Sequence, residues 1–541
     1  MKLVTVDEMI SIEKEANSSG LSYDDMMENA GDGLAEVILE EFFDADRFNA
    51  FALVGTGNNG GDTLVALEHL AAQGWDVTAY LVKRKADELV KRVEDAGGTI
   101  LYAENDEDYE ALFAHVETAY VLLDGLLGTG IKLPLRDPIP NILNAVTDAL
   151  ELLDDPPLVV AVDCPSGVNC DTGEAAEECI PADVTVTMAA VKQGLLKLPA
   201  FGLMGELVTV GIGLPDDLPT WQAVKNQVAD SLMVAEFLPE RPLDGHKGTF
   251  GTAFIVAGSV NYTGAALLSG KAAYRSGAGL VQMGVPNPVY GALAGQFPEA
   301  TWVLLPHQTG VIARNAVDVL LKNIERATAL LIGPGFGTED TTRDFLADLL
   351  KGKNFKKKSA GRIGFVQDKG EEADDDSKPS MPPLVIDADG LRLLAKIDDW
   401  QNLLPTPTVL TPHPGEMSAL TELPISEIQA DRLGVAKAYA KEWQQVVVLK
   451  GAFTIVASPD GRTTTIPVAS PALARAGTGD VLAGLIVGLR AQGLKAYDAA
   501  IAGAWIHGQA GLFAADAYGS TASVLAGDVL DAVPDVMAEL G

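Results

Sequence analysis

The chain of 541 residues, 48% hydrophobic and 6% aromatic, is long enough for two or three domains, each with a sizeable core. Its 75 acidic and 39 basic residues give a formal net charge of −36, which argues against nucleic acid and anionic membranes as partners because like charges repel. The apolar content argues against disorder, so the acidity indicates a charged surface suited to a salt-rich cytoplasm.

The sequence shows no targeting or membrane signal. The first stretch, MKLVTVDEMISIEKEA, lacks an apolar core of signal-peptide length, and no apolar run approaches the ~18 residues that a membrane helix needs. The three cysteines, Cys164, Cys170 and Cys179, lack the paired spacing of a metal site. We therefore expect a reduced, cytoplasmic protein.

The first block of the chain alternates short apolar runs with stretches of helix length. The runs are FALVG, VTAYLV, AYVLLDGLLGTG, LVVAVDCPSG and VTVTM. Such alternation predicts a mostly parallel sheet with helices on both faces. We assign residues 1–224 to an α/β domain of Rossmann-like, three-layer α/β/α architecture.

The loop GTGNNGGDT, residues 55–63, follows the first of these runs. Gly55, Gly57 and Gly60 match G-x-G-x-x-G between a predicted strand and a predicted helix, as in a nucleotide-binding loop. An ordinary nicotinamide site also needs an acid after the next strand, but residues 83–85 are basic. Because the loop adds asparagine and aspartate oxygens, it predicts a site for a nucleotide and a cation together.

Further oxygen ligands follow two later strands. Asp124 ends the run in LLDGLLGTG, and Asp163 and Ser166 lie in DCPSG. Carboxyl ends of parallel strands meet at one edge of a sheet, and these oxygens suit K⁺, Mg²⁺ or Ca²⁺ better than zinc. For any one of these residues, turn formation is an equal alternative.

Four motifs in order, MMENAG at 26–31, GTGNNGGD, DGLLGTG and DCPSG, resemble the NAD(P)HX epimerase family over about residues 1–215. The resemblance implies that Asn59, Asp124 and Ser166 ligate K⁺. It makes Asp163 the candidate acid or base, with substrate binding alone as the alternative. Thr63 replaces the usual glycine, and we expect it to narrow the loop. The implied substrate contacts are Asn58, Asn59, Gly60, Gly61, Asp62, Gly128, Thr129, Gly130, Ile131, Lys132, Leu133, Pro134 and Asp163.

A loop-rich passage after ELVTVGIGLP separates the first block from a second, and we place the domain boundary near residue 225. The second block, 225–541, repeats the alternation in runs such as GTAFIVAGS, ALLIGPGFG and VVVLKG, then closes with a helical region. Residues 351–383 are polar, with basic and acidic halves, which predicts a mobile surface insertion. A docking arm is the minor alternative.

The motifs of the second block are GHKGTFG, TGAALLSGKAAYRSGAGLV, GPGFG, DADGL, TPHPGE, VVLKG and AGTGDVLAG. They resemble the ADP- or ATP-dependent NAD(P)HX dehydratase family, which implies a ribokinase-like α/β fold. A Walker A loop is excluded, because GAALLSGKA has five residues between Gly264 and Gly270 and ends in Ala272.

The GTGD loop at 477–480 carries the predicted chemistry of this block. Gly477 and Gly479 precede a predicted helix, whose free N–H groups and dipole attract phosphate. In kinases of this fold, an aspartate placed like Asp480 takes a proton from the attacking hydroxyl. Phosphorylation would turn the ring hydroxyl of a hydrated nicotinamide into a leaving group, and loss of phosphate would restore NADH or NADPH.

The resemblance also implies binding residues in the second block. Glu416 is the candidate that holds Mg²⁺ through water, and His413 has turn formation as an equal alternative. The implied hydrate contacts are Ala253, Gly335, Gly337, His413 and Asp480. The implied nucleotide contacts are Lys450, Gly451, Ala452, Phe453, Thr454 and Gly479.

As a whole, the chain resembles bifunctional NAD(P)HX repair enzymes, in which one domain interconverts the R and S hydrates and the other dehydrates the S form with ADP or ATP. This implies NADHX and NADPHX as substrates, and we expect a homo-oligomer from a halophilic archaeon. One alternative is a ribokinase-like small-molecule kinase fused to a nucleotide-binding domain. Another is a first domain that binds without catalysis.

Overall fold

The computed structural model describes residues 1–41, 48–352 and 381–541. Two compact units make up the described chain, Met1–Asn226 and Gln227–Gly541. The insertion predicted at 351–383 lies outside the described residues except at its edges, 351–352 and 381–383. None of the described helices combines the length and apolar character that crossing a bilayer requires.

The described part of the first unit contains nine strands. They are β1 (Leu3–Val4), β2 (Asn49–Val54), β3 (Asp76–Leu81), β4 (Thr99–Tyr102), β5 (Val121–Gly125), β6 (Leu158–Val162), β7 (Val184–Met188), β8 (Val191–Lys192) and β9 (Glu206–Val210). Seven of these form one parallel sheet in the order β4-β3-β2-β5-β6-β7-β9. The remaining two, β1 and β8, pair in parallel as a separate ribbon.

Helices flank this sheet. The α-helices are α1 (Val6–Ser19), α2 (Tyr23–Glu41), α3 (Asn58–Ala72), α4 (Glu88–Asp95), α5 (Glu110–Thr118), α6 (Ile139–Glu151) and α7 (Pro219–Ala223). Short 3-10 helices cover Ala103–Asn105, Gln193–Leu196 and Ala200–Leu203. Local sequence explains the boundaries of α1: Thr5 and Glu8 form a capping box at its start, and Gly20 ends it at φ 116°.

Both faces of the first sheet are buried. Along β2, Ala52 and Val54 belong to one apolar cluster, and Phe51 and Leu53 belong to another. Successive side chains of a strand point to opposite faces, so each face supports its own core under its own layer of helices. The predicted three-layer α/β/α architecture is confirmed.

The second unit has a larger sheet. Its described strands are β10 (Asn226–Val228), β11 (Thr252–Val256), β12 (Leu280–Pro286), β13 (Thr301–Leu305), β14 (His307–Gln308), β15 (Val311–Ile312), β16 (Ala329–Ile332), β17 (Leu384–Ile386), β18 (Val409–Leu410), β19 (Val446–Leu449), β20 (Ile455–Ala457) and β21 (Thr463–Thr465). Ten of them form one sheet in the order β10-β21-β20-β19-β18-β17-β16-β11-β12-β13. From β13 to β19 this sheet is parallel, and β20 and β21 add antiparallel pairs.

The helices of the second unit also lie on both faces of its sheet. They are α8 (Ser231–Phe237), α9 (Thr263–Arg275), α10 (Asn287–Leu293), α11 (Ala316–Asn323), α12 (Asp340–Leu350), α13 (Asp389–Leu394), α14 (Pro414–Thr421), α15 (Ile425–Ala430), α16 (Arg432–Trp443), α17 (Thr478–Ala491), α18 (Ala496–Tyr518) and α19 (Ala526–Glu539). Short 3-10 helices cover Ile324–Arg326, Trp400–Asn402 and Pro471–Leu473. One apolar cluster joins β11 to α9, α17, α18 and α19, and a second joins it to α11, α12, α14 and α16.

In each sheet, the order in which successive strands are added reverses at one strand. In the first unit β2 is followed along the sheet by β3 on one side and by β5 on the other. In the second unit β11 lies between β12 and β16 in the same way. Doubly wound sheets bind ligands at the carboxyl ends of such strands, because the connecting loops diverge there and leave a crevice.

Candidate active sites

The glycine loop of the first unit lies at the point where its sheet changes direction. A Cβ on Gly55 would lie 1.9 Å from the carbonyl oxygen of Leu126, and one on Gly60 would lie 2.1 Å from that of Gly55. These glycines therefore allow backbone segments to approach closely. Helix α3 begins directly after the loop, and its N-cap residue, Gly57, supplies no side chain to cap the first N–H groups. Such a helix start can receive an anionic ligand.

The three predicted K⁺ ligands converge beside this loop. Asp124, at the end of β5, is completely buried and accepts hydrogen bonds from the Ser166 hydroxyl at 2.5 Å and the Ser166 N–H at 2.7 Å. The Ser166 hydroxyl accepts from the Leu127 N–H at 2.8 Å. The Asn59 amide donates to the carbonyls of Leu127 at 3.2 Å and Val162 at 2.5 Å. Burial raises the pKa of Asp124, although hydrogen bonds from Ser166 oppose the shift.

Asp163 has a buried cationic partner that the sequence analysis missed. Its Oδ1 accepts from the Nζ of Lys192, from the Thr187 hydroxyl at 3.1 Å and from the Met188 N–H at 3.0 Å. Lys192 is only 2% exposed, and its strand β8 is held by pairing with β1. The available signal was a lysine inside the apolar stretch VTVTMAAVK, because a buried lysine needs an anionic partner.

The charges of Asp163 and Lys192 also act on two more carboxyl groups. Asp62 is 7% exposed on α3, and burial, followed by the charge of Asp163, raises its pKa well above the usual range. Burial also raises the pKa of Glu13 on α1, with Lys192 opposing and Asp163 adding to the shift. Carboxyl groups whose environments push their pKa values upward can serve as proton donors. Asp62 was expected from the sequence as a substrate contact, whereas no motif in the sequence marked Glu13.

The predicted 128–134 segment starts beside Asn59. A Cβ on Gly128 would lie 2.3 Å from the Asn59 Oδ1, so the 128–134 loop begins against Asn59. Asn58 and Lys132 are exposed. Thr63 does not narrow the loop as expected: its hydroxyl donates to the Asn59 carbonyl at 2.6 Å, and a Cβ on Gly125 would lie 1.9 Å from it. The Thr63 side chain therefore faces the sheet.

The GTGD loop of the second unit forms the start of α17. Gly477 has φ 96° as the N-cap residue, and it supplies no side chain to the helix start. The Thr478 hydroxyl donates to the carbonyls of Leu473 and Arg475, at 2.9 Å each, which ties the turn to the preceding segment. The Thr478 N–H donates to the Arg475 carbonyl at 3.4 Å, so the N–H groups available to a phosphate in this turn are those of Gly479 and Asp480.

Asp480, in the first turn of α17, has the electrostatics of a base. Burial and the negative charge of Asp387 raise its pKa to about 7, and the positive charge of Lys450 opposes the shift. Weaker contributions from Asp389 and Glu416 act in the same direction as Asp387. A carboxylate with a pKa near the working pH can accept a proton from an attacking hydroxyl.

Lys450 lies between the start of α17 and two carboxylates, those of Asp387 and Glu416. Its Nζ lies 2.6 Å from the Asp387 Oδ1 and 3.7 Å from the Glu416 Oε2, and a Cβ on Gly479 would lie 3.6 Å from it. Burial alone would lower the pKa of Lys450, but the charges of Asp387 and Glu416 outweigh burial and raise it. The Asp387 Oδ2 is buried and has no hydrogen-bond partner among the described residues. Asp387 was not expected as a site residue from the sequence, where it is the first residue of the DADGL motif.

His413 and Glu416 cap a helix. The His413 Nδ1 accepts from the N–H groups of Gly415 and Glu416, while Glu416, 4% exposed, accepts from the His413 N–H at 2.9 Å. The other carboxylate oxygen of Glu416 lies 3.2 Å from the His413 Nε2. Burial lowers the pKa of His413 even though Glu416 lies beside it. Within the described part of the chain, no three His, Cys, Asp or Glu side chains are grouped as metal ligands.

The structure brings Gly335 and Gly337 to the site but not Ala253. The two glycines follow β16 with φ 64° and 79°, and the Gly337 N–H donates to Asp389 at 2.9 Å. Ala253 lies inside β11, completely buried, with Val281 and Ala329 as its neighbours in the sheet. Its side chain therefore belongs to the core and is remote from the carboxyl edge.

The predicted nucleotide segment, 450–454, is a turn. The Thr454 hydroxyl donates to the Gly451 carbonyl at 2.9 Å and accepts from the Gly451 N–H at 3.3 Å. Arg432, which the sequence analysis missed, donates to the carbonyls of Leu449 at 3.0 Å and Lys450 at 3.3 Å. This arginine braces the turn from the side of α16. Ala452 is exposed, and Phe453 has φ 55°.

Two family models match separate parts of the chain. A family model described as YjeF-related protein N-terminus matches residues 23–194, and one described as NAD(P)H-hydrate dehydratase matches residues 253–535. The bifunctional NAD(P)H-hydrate repair enzyme of Moorella thermoacetica is 36% identical, over 100% of this chain and 97% of the relative. That of Thermofilum pendens is 33% identical, over 96% and 93%.

One solved structure is similar to part of the chain. It is the ADP/ATP-dependent NAD(P)H-hydrate dehydratase from Bacillus subtilis, co-crystallised with ATP and Mg²⁺. It is 31% identical and covers 58% of this chain and 99% of its own, with a TM-score of 0.46.

Proposed function

The chain belongs to the family of bifunctional NAD(P)H-hydrate repair enzymes, and we propose that each unit carries one step of the repair at the site described for it. The enzyme epimerises the R and S hydrates of NADH and NADPH and dehydrates the S form. In the proposal, residues 1–224 hold the epimerase, and residues 225–541 hold the dehydratase, with ADP or ATP as phosphoryl donor. One observation supports the division above all: Asp480, with a pKa of about 7, stands at an uncapped helix start beside Lys450.

In the second unit, this chain's residues supply a base and a phosphate cradle. Asp480 takes the proton of the ring hydroxyl as that oxygen attacks the terminal phosphorus of the nucleotide. The N–H groups at the start of α17 bind the phosphates, and Lys450 neutralises their charge. Phosphate then leaves the ring with its oxygen, a proton is lost from the adjacent ring carbon to solvent, and the nicotinamide recovers its double bond. The 450–454 turn binds the nucleotide, and Gly335, Gly337 and His413 line the hydrate site.

The carboxylates of this site also fit a hard cation. The Asp387 Oδ2 has no partner among the described residues and is the oxygen free to face Mg²⁺. Both oxygens of Glu416 already contact His413, so Glu416 suits a contact through water, as proposed from the sequence. When bound, Mg²⁺ would neutralise charge on the transferred phosphoryl group.

In the first unit, the arrangement supports proton transfer at the hydrated carbon. The Nζ of Lys192 contacts the Asp163 carboxylate and holds it in place, and Asp163 is the proposed base. Asp62, whose raised pKa favours its protonated form, is the proposed proton donor. Asn58, Gly60, Gly61 and the 128–134 loop bind the nucleotide part of the hydrate. Asp124, Ser166 and nearby carbonyl oxygens form a hard donor set that fits K⁺, which would hold the loops together.

A coupled assay tests the division. The protein is mixed with both hydrate epimers, Mg²⁺ and either ADP or ATP, and the return of reduced-nicotinamide absorbance is followed together with chromatography of the epimers. Asp480→Asn should lower dehydration about 100- to 10,000-fold, as expected for loss of a general base, with epimerisation unchanged. Asp163→Asn should do the reverse. If Asp480→Asn leaves dehydration intact, or if phosphorylation proceeds without return of absorbance, the proposed mechanism is wrong.

We also propose a cytoplasmic location and a homo-oligomeric state. The reduced state of the cysteines supports the first: Cys164, Cys170 and Cys179 are buried and unbridged in the described chain. Light scattering after gel filtration would measure the second. A monomeric mass would contradict it.

A further inference from the structure

One buried hydroxyl of the second unit contacts the carboxylate of Asp387, and the proposed chemistry gives it no task. Thr411 is completely buried and directly follows β18. Its hydroxyl lies 2.6 Å from the Asp387 Oδ1 and 3.3 Å from the carbonyl oxygen of Ile386. A hydroxyl has one proton to donate, so the shorter contact, to the carboxylate, is its hydrogen bond.

The register of the sheet places Thr411 beside Asp387. Strands β17 and β18 pair in parallel with Val385 opposite Val409, and Asp387 and Thr411 lie two residues further along the two strands. Because side chains alternate along a strand, both residues share the face of Val385 and Val409, whose apolar cluster includes α17. Both therefore lie on the side of the sheet that is covered by the helix carrying Asp480.

Two donors meet one oxygen of Asp387. Besides the Thr411 hydroxyl, the Nζ of Lys450 donates to Oδ1, also at 2.6 Å. The Oδ2 atom is buried and has no hydrogen-bond partner among the described residues. Rotation about the last side-chain bond of an aspartate is only weakly restricted and would exchange the two oxygens. The donors on Oδ1 therefore determine which oxygen is left for a cation.

We propose that Thr411 is a positioning residue for Mg²⁺, which holds Oδ1 of Asp387 through its hydroxyl and so directs Oδ2 at the cation. The inference rests on the proposed function, in which Oδ2 faces Mg²⁺ and Lys450 neutralises phosphate charge. Lys450 has a flexible stem, whereas Thr411 is β-branched and its N–H donates to the Ile386 carbonyl of the neighbouring strand at 3.2 Å. Once Lys450 contacts phosphate, Thr411 remains the donor that fixes the carboxylate.

The effect of Mg²⁺ on ADP binding tests this role without turnover. Labelled ADP is dialysed to equilibrium against the full chain, without hydrate, in the absence of Mg²⁺ and at saturating MgCl₂. Mg²⁺ affinity and the tightening of ADP by Mg²⁺ change by the same factor, because the two binding equilibria are linked.

Two substitutions at position 411 separate the hydroxyl from the shape of the side chain. Thr411→Val removes the hydroxyl and should reduce the tightening by Mg²⁺ about 10- to 100-fold, the usual effect of losing a hydrogen bond to a metal-ligating group. Its affinity for ADP without Mg²⁺ should stay parental. Thr411→Ser keeps the hydroxyl and should retain most of the tightening. The Mg²⁺ requirement of dehydration should change in the same order, with epimerisation unchanged.

Thr408→Val is the matched control for a structural effect. Thr408 is also completely buried and precedes β18, at the opposite end of the strand from Thr411. Its hydroxyl donates at 2.6 Å to a backbone carbonyl, that of Pro405. The variant should therefore lower the melting temperature, as Thr411→Val does, and keep the parental effect of Mg²⁺ on ADP binding.

The inference is overturned if Thr411→Val keeps the parental effect of Mg²⁺, or if Thr411→Ser or Thr408→Val loses it to the same extent. Asp387→Asn distinguishes this failure from failure of the proposed function. If Mg²⁺ tightens ADP binding as strongly in Asp387→Asn as in the parent, the proposed metal site fails together with the inference. If Asp387→Asn loses the effect and Thr411→Val does not, the metal site stands and the inference alone fails.

Discussion

At the scale of single residues, the carboxyl groups of the two proposed sites are buried in different ways. Burial and the neighbouring Asp387 carboxylate raise the pKa of Asp480 to about 7, while the positive charge of Lys450 opposes the shift. Asp163 instead has a buried lysine in direct contact, with Asp62 nearby as a second carboxyl group. Both arrangements lower the free energy of unfolding, because a buried ionised group loses hydration that its partner only partly replaces.

The raised pKa of Asp480 predicts a stability that depends on pH. Its pKa is about 7 in the folded chain against an ordinary value of 3.8, so between these values the unfolded state carries the charge more readily. The contribution of Asp480 to the free energy of unfolding is therefore lost as pH rises from about 4 to about 7. Asp480→Asn removes this penalty and should melt at a higher temperature than the parent at pH 8. At pH 5 the difference should be much smaller.

Calorimetric scans of the parent and of Asp480→Asn at the two pH values check this sign. An equal difference in melting temperature at pH 5 and pH 8 would show that Asp480 remains solvated in the folded protein. Gain of stability together with loss of dehydration would be the expected trade between a strained site and its activity.

The buried pair of Lys192 and Asp163 predicts a large loss of stability in the first unit. Lys192→Met leaves the Asp163 carboxylate buried without its cation and should cost about 3–5 kcal/mol in the free energy of unfolding. Urea unfolding followed by circular dichroism measures the loss. The matched control is Lys197→Met. Lys197 is exposed, and its Nζ donates to a backbone carbonyl, that of Asp171, at 2.7 Å, so its loss leaves no buried charge. Adding Asp163→Asn to Lys192→Met should recover part of the stability, since the unpaired charge is then gone; no recovery would contradict a charge-based cause.

At the scale of elements, glycines set the distance of α17 from its neighbours. A Cβ on Gly484 would lie 2.3 Å from the Ser269 carbonyl of α9, and one on Gly488 would lie 2.1 Å from the Ser276 hydroxyl. On its other side α17 meets Gly503 of α18. The helix that presents Asp480 is thus held on two sides by backbone-level packing, which leaves little freedom for its first turn to shift.

Gly484→Ala should push α17 away from α9. We expect a loss of about 1–3 kcal/mol from overpacking, seen as a lower melting temperature of the second unit, together with slower dehydration. Gly527→Ala in α19 is the control, because its added Cβ would meet no described atom within 4 Å. Epimerisation should not change in either variant. A parental melting temperature for Gly484→Ala would show that the two helices can separate freely.

At the scale of the whole molecule, charge is the dominant feature. A net charge of −36 on 541 residues creates repulsion that ions in solution screen over a distance set by their concentration. The family does not explain this acidity, since it is a property of the surface and not of the sites. Adaptation to a salt-rich cytoplasm stays a prediction, as does the origin from a halophilic archaeon.

Lowering the salt concentration should therefore destabilise the protein. Repulsion among the 75 carboxylates grows as screening falls, so the melting temperature should decrease steadily from molar to millimolar KCl. Replacing KCl by an equal ionic strength of NaCl separates screening from specific K⁺ binding at Asp124. A melting temperature that is independent of salt would contradict the adaptation.

The sequence by itself determined the fold class and where to look for the sites. Alternating apolar runs predicted both sheets, each mostly parallel, because the period of side chains along a strand is a local property. The glycine loops at 55–61 and 477–480 predicted helix starts at the carboxyl edges, because glycine at such turns reflects the local backbone. The roles given to individual residues stay predictions, and Ala253 shows their limit: its motif placed it near the hydrate, but its register in β11 buries it.

Only the tertiary structure decided which distant side chains meet. Lys192 reaches Asp163 across 29 residues, and Lys450 reaches Asp387 across 63. Neither of these pairs has a characteristic spacing, because each depends on strand order and helix packing set by the whole core. The pKa of Asp480 follows from the same cause. The type of residue at a site can be read from the local sequence. Its protonation state depends on burial and on charges that long-range packing brings close to it.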